Sequence, residues 1–407
     1  MEIRSHIIRN FLARLSFIGS TFLVNLVFAR VLGAGSSGEL YYTINNFSIL
    51  ALLTSFSLES GLTYFHSQKA IDEKQLITLS FIWALAAGVI ATLLAAGLKG
   101  NFFSDTPYEV SGYSFLFISG TLLTTFISGL FYGRQHFLFP HLIPAAMNGM
   151  VLLVFVALYM FQQHIQTEIL ITVYFISIPV GGIILGILYH RIYSLRFSFS
   201  RISRSALVKL LQYSGLAFMA NMVAFLVYRI DYWILKGFSP HIITDAALGN
   251  YIQVTKLVQI FLFAPSVIAT IVFPVTAAGR QPGLKQDFRK IIFRLVIINL
   301  LACGFLLLAG QWIFVYVYGE SFAMMYNCFV FSVPAILAIT VVRVVASYFA
   351  GANRIRYNLI GSLLALVIIT ALNFLLIPSM GINGAALADS AGYTAYMVLL
   401  LFFLSRK

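Results

Sequence analysis

Charge is scarce in this chain, and negative charge scarcest: thirteen Asp and Glu stand against 26 Lys and Arg, and charged residues of both signs fill only 10% of 407 positions. Soluble globular domains average about 25%. A soluble protein of this length would also split into two or three cores wrapped by amphipathic helices. Here apolar residues make up 60% of the chain, and their runs repeatedly reach the ~20 residues that cross a bilayer. The composition therefore predicts an all-α polytopic membrane protein. Cysteine is nearly absent. Cys303 and Cys328 both sit in or beside apolar runs, a pattern that offers neither a disulfide framework nor a metal site, and no cofactor is implied. The seven histidines fall at predicted helix ends or in loops, which excludes an embedded histidine proton relay. The first apolar run, Leu15 to Ala29, leads into further spans without a small-residue cleavage site, unlike a signal peptide.

The surplus of positive charge, +13 overall, is spread over short loops and is not gathered on one face, which speaks against nucleic acid as a partner. Apolar runs between polar breaks predict spans near 11–30, 40–65, 76–98, 112–132, 142–161 and 169–189, then near 207–235, 247–278, 291–310, 322–349, 357–377 and 382–404. With the amino terminus in the cytoplasm, twenty basic residues fall on that side, only Arg30, Lys99 and Lys236 on the other, and three within spans. That asymmetry predicts twelve spans with both termini cytoplasmic, since an odd count would spoil the alternation of basic and base-free loops. Pro265 and Pro274 predict a kink in the overlong eighth span.

A basic connector at 191–209 separates residues 1–190, carrying spans one to six, from 210–407, carrying spans seven to twelve. The halves show weak internal similarity. The turn after span four reads FYGRQHF from Phe131, and the turn after span ten reads FAGANRIRY from Phe349. Gly38 and Tyr41 open span two much as Gly249 and Tyr251 open span eight. Six plus six spans, each half starting on the same side, predicts parallel repeats with substrate at their interface.

Further segments carry a family resemblance: ARVLGAGSSGELYY from Ala29, YRIDYWILKGF from Tyr228, LGNYIQVTKL from Leu248, YGESF from Tyr318, and LNFLLIPSMGINGAALADS from Leu372. In order and spacing, over nearly the whole chain, these resemble the polysaccharide exporter and O-antigen flippase branch of the multidrug, oligosaccharidyl-lipid and polysaccharide exporter superfamily. The resemblance implies two six-helix lobes forming a V around a cavity that opens alternately to either side. It implies residence in a bacterial cytoplasmic (inner) membrane and transfer of an undecaprenyl-pyrophosphate-linked oligosaccharide to the outer leaflet. A polysaccharide polymerase and a chain-length regulator are the partners it suggests, besides membrane lipid.

Arg229, Lys256 and Arg343 interrupt apolar spans. A charge at bilayer depth costs about 2.5 to 3.5 kcal/mol on insertion scales, so each is expected to face a cavity or a partner. Helix rise sets Arg229 and Lys256 some ~10 Å below the outer surface and Arg343 about 12 Å above the inner one. Together they form a candidate ladder of cations for a pyrophosphate, which crosses hydrocarbon only if donors replace its water. Arg30 could add a contact at the exit, Asn25 a polar lining group, and Tyr228, Tyr232 and Tyr251 faces on which sugars stack. Three acids, Glu59, Asp231 and Asp389, also lie within spans and are the candidate ion-coupling groups. The bland alternative is that three acids neutralise three bases. Arg229 and Asp231, two apart on one helix, point in different directions, whereas Asp231 could reach Lys256 on the neighbouring one.

A multidrug extruder of the same superfamily would want acids in the first half, and span one has none between Leu15 and Ala29. A membrane glycosyltransferase or polymerase would want a large outer loop or a paired-acid motif, and neither occurs. A non-enzymatic transporter is the reading that remains.

Overall fold

The computed structural model describes residues 2–98, 110–161, 167–193, 203–238, 241–277 and 284–406. Most of the connector predicted at 191–209, and residues 99–109, lie outside the described residues. The described elements are helical. In chain order they are α1 (Glu2–Ser55), α2 (Leu58–Ser67), α3 (Glu73–Gly97), α4 (Val110–Gly133), α5 (Leu138–Phe161), α6 (Thr167–Ile192), α7 (Arg204–Gly237), α8 (Asp245–Phe261), α9 (Phe263–Ala277), α10 (Leu284–Tyr318), α11 (Met325–Gly351), α12 (Ile355–Met380) and α13 (Ile382–Ser405), with a single 3-10 turn, Glu320–Phe322, before α11.

Ten of these helices are long and apolar enough to cross a membrane, and α8 with α9, bent by 45°, makes an eleventh if the pair is one broken span. At 1.5 Å per residue α1 would run about 80 Å, far beyond the ~30 Å hydrocarbon core. Its break at Gly33 (φ 74, ψ 176) divides it, so with that broken span the described helices supply twelve crossings. That backbone conformation is closed to residues with a Cβ, which is why the chain turns there.

The chain forms two compact units, one of residues 1–31 and 42–222, the other of residues 32–41 and 223–407. In the first, α4 is the buried centre, packed by α2, α3, α5 and α6. Residues Phe56 and Ser57, both at φ 50, separate α1 from α2. Asn221 Nδ2 donates to Ser57 Oγ at 3.0 Å, and Phe218 stacks on Phe56, tying the early part of α7 to the break. In the second unit α11 is the buried centre, packed by α8, α9, α10 and α13.

Both central helices are the fourth span of their half, and they end alike. After α4, His136 N donates to Phe131 O and Gln135 N to Tyr132 O, with Gln135 at φ 60; after α11, Arg354 N donates to Phe349 O and Asn353 N to Ala350 O, with Asn353 at φ 57. These are two Schellman caps in the same register on the two turns whose sequences are similar. The glycines that open spans two and eight meet within the second unit. A Cβ on Gly38 would stand 2.8 Å from Gly249 Cα, and one on Gly249 would collide with the Ala34 carbonyl.

Candidate transport site

The second unit concentrates charge and aromatic hydroxyls on α7, α8, α11 and α13. On α7, Tyr228 and Tyr232 share a face by their spacing of four, and Arg229 reaches Tyr232 by its spacing of three. An Arg229 Nη1–H donates to the Tyr232 hydroxyl, and the guanidinium carbon lies 4.9 Å from the Tyr232 ring centre. Tyr232 in turn is hydrogen-bonded to Thr255 Oγ1 on α8. Asp231, only 2% exposed, points elsewhere: its Oδ2 accepts from the Tyr251 hydroxyl, while Oδ1 is buried without a hydrogen-bond partner.

Tyr251 is the junction of the site. Its hydroxyl also reaches Asp389 Oδ2 on α13, at 2.9 Å. One phenol carries one hydrogen, so two carboxyl groups converging on it are fully satisfied only when one of them supplies a hydrogen of its own. Asp231, Tyr251 and Asp389 thus form one hydrogen-bonded group spanning α7, α8 and α13.

A second arm runs along α11. The Arg343 guanidinium lies 5.2 Å from the Tyr228 ring centre, and its Nε is buried without a hydrogen-bond partner. Tyr228 packs 6.0 Å from Tyr393, whose hydroxyl donates to Val227 O at 3.2 Å. Lys256, on α8, sets its ammonium over the ring of Tyr41. Among the described residues no carboxylate lies within salt-bridge distance of Arg229 or Arg343.

Eight sequence-predicted residues therefore share one unit: Tyr228, Arg229, Asp231, Tyr232, Tyr251, Lys256, Arg343 and Asp389. Asn25, Arg30 and Glu59 belong to the other. Asn25 is half-buried and Arg30 exposed on α1; Glu59 is half-buried in the first turn of α2, where its carbonyl accepts from Thr63 Oγ1 at 2.8 Å. Sequence reasoning missed Tyr41, Thr255 and Tyr393. Tyr393 was within reach, since four residues after Asp389 is the same face of a helix. It also missed a polar cluster in the first unit. Arg134 forks onto Glu73, with Nε to Oε1 at 2.9 Å, and stacks on Tyr193; Tyr189 donates to Glu73 and meets His66 Nε2 at 3.1 Å. The hydrogen bond to Glu73 raises the pKa of the Arg134 guanidinium, so this arginine is committed to a carboxylate.

The chain thus has the fold of transporters of the multidrug, oligosaccharidyl-lipid and polysaccharide exporter (MOP) superfamily, and it is a multi-pass membrane protein. It is similar to the lipid II flippase MurJ in an inward closed conformation, with TM-score 0.72 and 14% identity over 98% of this chain and 87% of that one. It is similar to a multidrug resistance MATE family transporter of that superfamily in an inward-facing conformation, with TM-score 0.73 and 13% identity over 97% and 98% of the two chains. A MOP superfamily transporter from Pyrococcus furiosus, described by the reverse polarity of its binding pocket, is also similar, with TM-score 0.65 and 14% identity over 98% and 95%. No protein-family model and no curated protein matches the chain.

Proposed function

We propose that the chain is a lipid-linked oligosaccharide flippase. It would carry an undecaprenyl-pyrophosphate-linked repeat unit, of the O-antigen kind, from the cytoplasmic to the outer leaflet of a bacterial inner membrane by alternating access. On this reading both termini are cytoplasmic, and residues 1–190 and 210–407 are the two lobes, joined by the connector at 191–209.

The observation that carries the reading is the setting of Arg229 and Arg343 against tyrosines rather than carboxylates. An aromatic face offsets part of the cost of holding a guanidinium out of water, yet leaves its full positive charge in place. Forked N–H donors suit the oxygens of a pyrophosphate. Lys256 adds a compact charge, Arg30 a contact toward the exit, and Asn25 a polar lining group. Tyr228, Tyr232 and Tyr251 offer ring faces and hydroxyls to sugars. Asp231 and Asp389, through Tyr251, would carry the coupling proton, with Glu59 a separate candidate for the same task. That a lipid II flippase shares this fold supports the class of cargo, and the Pyrococcus furiosus protein supports the idea that pocket polarity varies within the fold.

Leaflet accessibility of a lipid-linked oligosaccharide in proteoliposomes tests the proposal. Arg229→Ala and Arg343→Ala should each slow flipping by about tenfold or more, the factor that ~1.4 kcal/mol of lost contact gives. Undiminished flipping by both variants would sink it. A second reading, a MATE-like extruder of cationic compounds, is favoured by the acids within the second unit, buried Asp231 and half-buried Asp389; proton-driven uptake of a cationic dye, lost in Asp389→Asn, would select it.

A further inference from the structure

Pro334 interrupts α11 nine residues after its start. Proline lacks the N–H that would close the bond to Val330 O, and its ring pushes the preceding turn open. In hydrocarbon, backbone groups released this way must find a partner inside the protein. The partner here comes from α13. Ser390 Oγ donates to Phe331 O at 2.6 Å and accepts from Ala335 N at 3.2 Å. Those two groups are the acceptor and donor that an undistorted α-helix joins directly, so a single hydroxyl is inserted into the ladder of α11 beside its proline. Side-chain insertion of this kind is a recognised cause of a fixed helix bend.

Ser390 is also the neighbour of Asp389. Successive residues of a helix differ by about 100° in direction, so pinning Ser390 to α11 fixes where α13 aims the preceding side chain. Asp389 is aimed at Tyr251. Pro334, Ser390, Thr394, Val398 and Phe402 also line an apolar groove of about 730 Å³.

We infer that Ser390 is a positioning residue: its hydroxyl holds α11 bent at Pro334 and, through that link, holds Asp389 against Tyr251. The hydroxyl link stands on geometry alone; the bend is inferred from the proline and the inserted hydroxyl, and the bearing on proton coupling rests on the function proposed above. Three variants of the full chain separate the possibilities: Ser390→Ala, Pro334→Ala, and the two together. Ser390→Ala leaves Phe331 O and Ala335 N without their bridge and lowers the melting temperature in detergent. Adding Pro334→Ala restores a continuous ladder, so the double variant recovers most of that loss. Equal losses in single and double variants would overturn the bridge.

Two further readouts follow the bend and Asp389 directly, neither of which needs transport to occur. Spin labels at Met324 and Asn353, with the buried Cys303 and Cys328 replaced, report the end-to-end distance of α11. The double variant lengthens that distance; an unchanged distance would show that Ser390 and Pro334 do not set the bend. The infrared carboxyl stretch assigned by its loss in Asp389→Asn shifts in the double variant, which has regained stability. A band left in place there would overturn the positioning of Asp389. Should all three hold while flipping is absent from the native protein, the device stands and the flippase reading falls.

Discussion

Asn299 donates to the Phe261 carbonyl at 3.3 Å, and that carbonyl is the one Pro265 deprives of a helical partner. The bend between α8 and α9 is thereby capped by a side chain from α10, which Thr340 Oγ1 of α11 holds at 2.7 Å. A buried amide that loses such partners costs about 1–3 kcal/mol. Asn299→Leu should therefore destabilise the protein by that order in a detergent unfolding assay, and Pro265→Ala in the same background should return part of it by closing the Phe261 bond within the helix. A neutral Asn299→Leu would mean that water or a repacked backbone serves the carbonyl instead.

Glycine positions divide sharply by what surrounds them. A Cβ on Gly249 would strike the Ala34 backbone, which cannot swing aside as a side chain could, whereas Gly19, Gly149 and Gly304 have open space around theirs. Gly249→Ala should lower stability by several kcal/mol, on the order of the worst overpacking changes. Gly149→Ala and Gly304→Ala, in helices, should be neutral or gain up to ~1 kcal/mol. Thermal melts of the three variants in one detergent check the ranking, and a tolerated Gly249→Ala would remove the close backbone crossing as a constraint.

How much of this was legible beforehand follows from which interactions are local. Apolar runs, the charge bias of the loops and the paired turns at Phe131 and Phe349 are local patterns, and bilayer thickness converts them into spans without tertiary information. The divergence of Arg229 from Asp231 was legible too, because helix geometry alone separates residues two apart. The partners themselves were not. Tyr41 meets Lys256, and Tyr228 meets Arg343, across separations of more than a hundred residues that no spacing rule spans. Glu73 was passed over for the opposite reason: it sits at a helix start where acids are ordinary, and only the fold shows Arg134, Tyr189 and His66 converging on it.

That convergence makes Glu73 a structural anchor. Glu73→Gln keeps an acceptor for Arg134 but removes the charge, and Glu73→Ala removes both and leaves Tyr189 and His66 facing a void. Arg134 is 38% exposed, so the ionic part is screened by water and salt. The expected order of thermal stability is native, then Gln, then Ala, with the gap between native and Gln closing as salt rises. A salt-independent gap would indicate that packing, not charge, is lost.

The junction at Tyr251 supplies the sharpest contrast between variants. Tyr251→Phe deletes the hydroxyl that both Asp231 and Asp389 use and leaves a buried and a half-buried carboxyl group converging on the edge of an apolar ring. Burying a polar group without a partner costs about 1–3 kcal/mol, and a charged one more. Asp389→Asn, by contrast, can donate an amide hydrogen to the Tyr251 oxygen, which frees the phenolic hydrogen for Asp231. The asparagine variant should therefore fold about as well as the native protein while responding differently to a pH gradient in proteoliposomes, and the phenylalanine variant should melt lower. Native-like stability in Tyr251→Phe, or an unaltered pH response in Asp389→Asn, would show that the three groups do not share a proton.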